Sequence, residues 1–298
     1  MNIAVIPVAR ARAWRRVLGG RQAQERVTRI VAFVILAGIA VVLLVPLAWM
    51  LSTSLKRASD VFTIPIQWIP HPVDWGNYPE AVRDFPFWTF LKNTVFYSVS
   101  DSILVLVSSA VAAYAFARLR WRGRDVVFVL MLATMMIPFP ATMIPTYLIF
   151  KWLGWLNSYK PLILPDITAS PYFVFLLRQF FLTIPMDLSE AAFVDGAGHL
   201  RIFSRIVLPL TKPALLVVAI FNVSYAWGNF LGPLIYLNDP AKYTLSLGLQ
   251  WFQGTQWHGA HYELMMAAAM MMTLPMVILF FTAQKYFVQS ITLTGIKG

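Results

Sequence analysis

The chain has 298 residues, of which 59% are hydrophobic and only 12% charged, with a formal net charge of +11. Such a balance is too apolar for a soluble domain and points to a polytopic membrane protein. With no cysteine, disulfides, thiol nucleophiles and cysteine metal sites are excluded.

Residues 1–29 hold seven arginines and one acidic residue, Glu25. No apolar stretch with a small-residue cleavage site directly follows the basic start, so the segment is not read as a signal peptide. It is expected to be a basic cytoplasmic arm, either laid along anionic lipid or a mostly disordered tail. The uncharged run from Ile30 to Leu55 then covers a bilayer core of about 30 Å and forms the first predicted span. Residues 56–88 carry Pro65, Pro70, Pro72, Pro79 and Pro86 with Trp68, Trp75 and Trp88, which suits a loop at a membrane–water interface.

Further spans are predicted from about Phe90 to Ala117, Val126 to Phe150, Pro161 to Phe181, Pro213 to Leu237 and Leu264 to Gln284. Pro138, Pro140 and Pro145 should kink the third. Six spans put both ends on one side. With the N-terminus inside, inner segments hold 16 Lys and Arg and outer segments six, so the termini and the 184–212 segment are expected in the cytoplasm. The basic charge is then topological, and nucleic acid is not needed to explain it.

Chemistry-bearing motifs are sparse. His258 and His261 stand three apart without a carboxylate-rich companion, so no metal site is expected. A phosphate-binding loop ends in Gly-Lys-Ser/Thr, and no Lys here is followed by Ser or Thr. The chain is therefore not expected to be an enzyme.

Ion-coupled carriers place ionisable groups inside the membrane, and the candidates are Asp101, Asp166 and Arg178. Asp101 lies about 12 Å deep in the second span at 1.5 Å per residue. It either faces a path or a neighbouring subunit, or is an interfacial hydrogen-bonded carboxyl. Asp166 and Arg178 are read as anchors near opposite ends of the fourth span. In the fifth, Asn222, Tyr225, Asn229, Pro233 and Tyr236 fall within an arc of roughly 80° on a continuous helix, with Trp227 opposite. Such a polar face packs on other helices or lines a wet path suited to neutral polyhydroxy solutes.

The remaining polar stretch begins at Asp187. With Glu190 three residues on, Asp187 is placed as the N-cap of a short helix ended by Gly196 and Gly198. A second short helix should run from about His199 to Val207 and stop before Leu208-Pro209. Glu190-Ala191-Ala192, Asp195-Gly196-Ala197, Ile206 and Leu208-Pro209-Leu210 with Pro213 resemble the EAA loop of ABC importer permeases. The fuller pattern is similar to the carbohydrate branch, the maltose-type second permease. Also similar are Trp227-Gly228-Asn229-Phe230-Leu231-Gly232-Pro233-Leu234 and the ending Thr292 to Gly298, although Gly228, Ser290 and Thr294 depart from the family pattern.

The resemblance implies an all-α, six-span type I importer permease fold over residues 30–298, in a bacterial cytoplasmic membrane. It implies that Glu190, Ala191, Ala192, Asp195, Gly196, Ala197, Ile206 and Pro209 dock on a homodimeric cytoplasmic ATPase. Lys297 and Gly298 would touch that ATPase as well. No cofactor is expected on this chain, ATP and Mg belonging to the ATPase. A second homologous permease would complete the path, with Asn222, Tyr225, Asn229, Tyr236 and Asp101 as candidate lining residues. An extracytoplasmic solute-binding protein would deliver a sugar or related polyol, with Gln250, Gln253 and Gln256 as candidate contacts. The alternatives are an importer for a phosphorylated polyol or peptide, or an ion-coupled carrier.

Overall fold

The computed structural model describes the backbone of residues 9–253 and 260–295, with side chains over 24–253 and 260–284. The described residues are helices joined by short turns, without a strand. Helix α1 runs Ala9–Ser54, so from Ala9 onward the basic arm continues the first span as one helix. Between Ile30 and Val45 most of its large apolar side chains are exposed, as a lipid-facing helix requires. Its last carbonyls would be left without partners, and the following loop supplies them. Asn77 Nδ2 donates to the Ser54 and Lys56 carbonyls at 3.0 and 2.7 Å, and the Asp74 N–H donates to the Leu55 carbonyl at 2.9 Å. Ser52 Oγ also donates to the Trp68 carbonyl at 2.6 Å.

After α2 (Asn77–Asp84), the 32-residue α3 (Phe87–Arg118) forms the centre of the protein. Its buried face is rich in small residues, among them Ser98, Ser102, Ser109, Ala110, Ala113 and Ala117. In lipid, apolar burial drives helix association little, so close van der Waals packing has to do so, and small side chains permit it. Helices α7 (Pro171–Thr183) and α11 (Lys212–Gly228) use that face, closing a core that includes Val105, Val174, Leu177, Phe181, Ile202, Val207 and Val218.

The third predicted span is not a kinked helix. It is two helices, α4 (Arg124–Ala133, extended by a 3-10 turn to Met136) and α5 (Phe139–Trp152), meeting at 98°. Pro138 drives Ile137 into extended backbone (φ −82°, ψ 114°), so the helix stops there instead of bending. Pro145 is accommodated inside α5. The fourth predicted span is likewise broken into α6 (Lys160–Ile163), a 3-10 turn (Leu164–Thr168) and α7 (Pro171–Thr183). Hydroxyls on α3 satisfy backbone groups freed by the break: Ser108 Oγ donates to the Asp166 carbonyl at 2.8 Å, and Ser109 Oγ accepts from the Ser170 N–H at 3.2 Å.

Two short helices, α8 (Met186–Val194) and α9 (His199–Ile202), lead through a π turn at Phe203–Val207 into α10 (Leu208–Leu210). The fifth predicted span divides into α11 (Lys212–Gly228) and α12 (Leu231–Tyr236). After α13 (Leu245–Gly248), α14 (Tyr262–Gly295) packs on α1 and α11 and contains Pro275. Three stretches, Gln24–Ser54, Phe87–Arg118 and Tyr262–Gln284, are long and apolar enough to cross a bilayer unbroken. Counting each of three sharply bent helix pairs as one crossing gives six.

Candidate functional site

The polar segment at 186–210 is a helix–turn–helix. Its first arm, α8, is preceded by Pro185 as N-cap, without a side-chain cap bond. Asp187 therefore stands in the first turn and not at the cap, a correction to the expected capping box. Pro185 carries no N–H and a fixed φ, so the helix is entered two residues earlier than a side-chain cap at Asp187 would set. There Asp187 faces the positive end of the helix dipole.

The end of α8 is as expected at Gly196, whose φ is +78°. The Gly196 N–H donates to the Phe193 carbonyl at 3.0 Å and the Ala197 N–H to the Ala192 carbonyl at 2.8 Å, the paired bonds of a Schellman cap. A Cβ at Gly196 would meet nothing within 4 Å, so the glycine is there for its φ and not for space. Gly198 is extended (φ −78°, ψ 167°) and opens the second arm instead of closing the first.

The second arm passes the expected stop before Leu208 and reaches Leu210, then turns by 79° at Thr211 into α11. Pro209 cannot donate, and its ring would crowd the carbonyl four residues back in an α-helix. The wider π turn just before it accommodates that ring, which explains why the arm continues.

Burial divides the eight loop candidates. Ala192, Ala197 and Ile206 pack against the core, as do the fully buried Ile202 and Val207. Glu190, Ala191, Asp195, Gly196 and Pro209 are exposed. Beside them Val194 and Leu200 are 89% and 79% exposed, leaving apolar tips on both sides of the turn.

The polar face of the fifth span is not one continuous stripe. Asn229 ends α11, with extended ψ of 112°, because Pro233 four residues on would crowd its carbonyl in an unbroken helix. Its side chain bridges the break, Oδ1 accepting from the Gly232 N–H at 3.1 Å and Nδ2 donating to the Tyr97 hydroxyl at 2.9 Å. Asn222 belongs to a separate buried seam, donating to Asp101 Oδ2 at 2.8 Å and Ser102 Oγ at 3.2 Å. Asp101 is 2% exposed and bonded between α3 and α11, rather than facing an open path.

Tyr225, Asn229 and Tyr236 do meet, on the wall of a cavity of about 530 Å³. Tyr97, Asp166, Thr142 and Thr146 add polar groups to that wall, and Phe139, Phe150 and Leu162 add apolar ones. Among the described residues no Lys or Arg lines it. Asp166 is thus no end anchor but lines the cavity. Tyr97 had a sequence signal, one helical turn before Asp101. Thr142 and Thr146 were hidden because the third span was read as one helix. Arg178 is an anchor, its Nε donating to the Phe116 carbonyl at 3.3 Å and its guanidinium lying 4.4 Å from the Phe128 ring centre.

Gln250 and Gln253 are exposed on a 3-10 turn at Leu249–Gln253. Gln256, Lys297 and Gly298 lie outside the described residues. The segment leading to that turn is tied to α3: Asn93 Nδ2 donates to the Ala241 and Tyr243 carbonyls at 2.9 Å each, and Thr94 Oγ1 accepts from the Leu245 N–H at 2.8 Å. Gly248 fits there because Phe90 and Phe85 leave no room for a Cβ. Among the described residues no three His, Cys, Asp or Glu side chains form a group suited to a metal ion.

Residues 105–293 match the family described as "Binding-protein-dependent transport system inner membrane component". The arabinooligosaccharides transport system permease protein AraQ of Halalkalibacterium halodurans is 37% identical over 71% of this chain and 75% of its own length. The melibiose/raffinose/stachyose import permease protein MelC of Bacillus subtilis is 32% identical over 93% of this chain and its full length. A solved bacterial ABC transporter involved in the import of the acidic polysaccharide alginate contains a chain with TM-score 0.77 and 27% identity. The match covers 89% of this chain and 98% of that one.

Proposed function

The chain belongs to the family of binding-protein-dependent transport inner-membrane components, and from that premise we propose that it is the permease of an ATP-driven importer for a sugar or related polyol. Relatives named for arabinooligosaccharides and for melibiose, raffinose and stachyose support a saccharide. The observation that carries the solute class is the cavity. Tyrosine, asparagine and threonine groups offer donors, acceptors and ring faces to hydroxyl-bearing solutes. Its wall includes a carboxyl group and no cation, which argues against a phosphorylated polyol. Family membership speaks against an ion-coupled carrier.

In this reading the termini and the 186–210 helix–turn–helix face the cytoplasm, and the exposed Glu190, Asp195, Val194 and Leu200 meet a homodimeric ATPase that holds ATP and Mg. Apolar tips on a short, capped helix pair suit insertion into a groove on a partner. Closure of the ATPase pair would move the loop, and the tight turn at Thr211 would carry that movement into α11, which ends at the cavity wall. This is a population shift driven by differential binding of two states. A second permease would complete the path, and an extracytoplasmic binding protein would meet the outer turn bearing Gln250 and Gln253. Lys297 and Gly298 would add a tail contact to the ATPase.

Glu190→Lys and Gly196→Pro test the coupling. Each should abolish uptake while leaving membrane insertion intact. Normal uptake with normal ATPase co-purification in both variants would refute the assignment.

A further inference from the structure

The covalent turn at Thr211 is one connection between the helix–turn–helix and the cavity, and the hydrogen bonds of α3 make a second. Arg118 ends α3 and is only 8% exposed. Its Nη2 donates to the Phe181 and Ile184 carbonyls at 2.6 and 2.7 Å, and its Nη1 lies 2.7 Å from the Met186 sulfur. Those three residues are the end of α7, the linker and the first residue of α8. The chain bends there by 74°, which frees the carbonyls that the guanidinium takes up. One turn earlier on α3, the Tyr114 hydroxyl donates to the His199 carbonyl at 3.3 Å, and its ring packs on Phe203 with centroids 5.0 Å apart. Both arms of the loop are therefore held by the same helix end.

The other half of α3 holds the cavity wall. Tyr97 accepts from Asn229 at the α11 break, and Asp101 accepts from Asn222. From Tyr97 to Arg118 the helix covers roughly 30 Å at 1.5 Å per residue. An unbroken helix of that length passes displacement along its axis, whereas the broken α4–α5 and α6–α7 segments would absorb it.

We propose that Arg118 and Tyr114 are positioning residues that grip the two arms of the loop and transmit its movement through α3 to the cavity. The proposal rests on the coupling role given to the loop above. Arg118 is suited to the task because one nitrogen of its planar fork holds both carbonyls while the other reaches the Met186 sulfur, a span and fixed geometry that a lysine ammonium does not offer.

The absence of cysteine provides a direct readout. In a Thr142→Cys background, the importer assembled with its partner permease, ATPase and binding protein in proteoliposomes is treated with a maleimide, with and without ATP. The ATP-dependent change in labelling of residue 142 reports cavity opening. Arg118→Met is expected to retain assembly and ATP hydrolysis but to shrink that change about tenfold, the effect of weakening a coupling by roughly 1.4 kcal/mol. Arg118→Lys should recover part of it, and Tyr114→Phe should show a smaller loss.

An unchanged labelling response in Arg118→Met overturns the proposal. If that variant fails to insert, Tyr114→Phe decides by the same criterion, since it removes a single hydroxyl. Gly196→Pro in the same background separates the two readings. If it abolishes the response while the Arg118 and Tyr114 variants do not, only this inference falls. If it also leaves the response intact, the coupling role of the loop falls with it.

Discussion

At the scale of single residues, some buried polar groups bond across helices while others have no hydrogen-bond partner. Asn222 exemplifies the cost structure. Removing it leaves Asp101 Oδ2 without that donor, while Asp101 Oδ1 already has no hydrogen-bond partner. Asn222→Ala should therefore cost about 2 kcal/mol, in the range for stripping a buried polar group of its partner. If the two side chains act as a pair, combining Asn222→Ala with Asp101→Asn should cost less than the sum of the two single losses. Thermal melts of the purified protein measure both, and strictly additive losses would show that the two side chains are not coupled.

Lys56 is another such case, outside the membrane-spanning segments. Its Nζ has no hydrogen-bond partner and lies 4.2 Å from the Trp49 ring centre. Burial pushes its pKa below the ordinary lysine value, partly offset by Asp60. Between the lowered value and the ordinary one the unfolded chain binds more protons, so this lysine makes stability rise with pH in that alkaline window. Lys56→Met should flatten that rise, as read from melting temperature against pH.

At the scale of elements, the chain's proline distribution announced interruptions whose severity was not legible. Pro138 and Pro140 read as a kink, yet the backbone before Pro138 is forced extended and the segment folds back at 98°. Pro233 and Asn229 lay on one face of an assumed continuous helix that breaks between them, while Asn222, within α11 itself, turns out to bond Asp101 and not to line the cavity. The helix ends were read well where the local chemistry is decisive, as at Gly196, whose positive φ follows from its type. The π turn had no comparable signal, because it arises from fitting Pro209 into a packed arm. Pro209→Ala should let that turn relax to α geometry, changing the register by about 100° per residue removed from the bulge. We expect the ATPase still to co-purify and uptake to fall, since the arm would then enter α11 at the wrong angle. Wild-type uptake by this variant would show that the π turn has no part in coupling.

At the scale of the whole molecule, composition and motif spacing carried the reading far: an all-helical membrane class and the family follow from apolar runs and the 190–213 pattern. Long-range juxtapositions did not follow. Asp166 reaches the cavity only because α6 and α7 are offset by a 3-10 turn, which no local periodicity reports. The orientation in the membrane makes the decisive global prediction. From the excess of basic residues, the helix–turn–helix is predicted inside the cell and the turn bearing Gln253 outside. In this cysteine-free chain, Val194→Cys should resist a membrane-impermeant maleimide in spheroplasts and react in inverted vesicles, because Val194 is 89% exposed and faces the cytoplasm in that arrangement. Gln253→Cys should show the opposite pattern. Labelling of residue 194 from outside would place the loop beyond the reach of any cytoplasmic ATPase, and the grip of Arg118 on α8 would then have no motor to transmit.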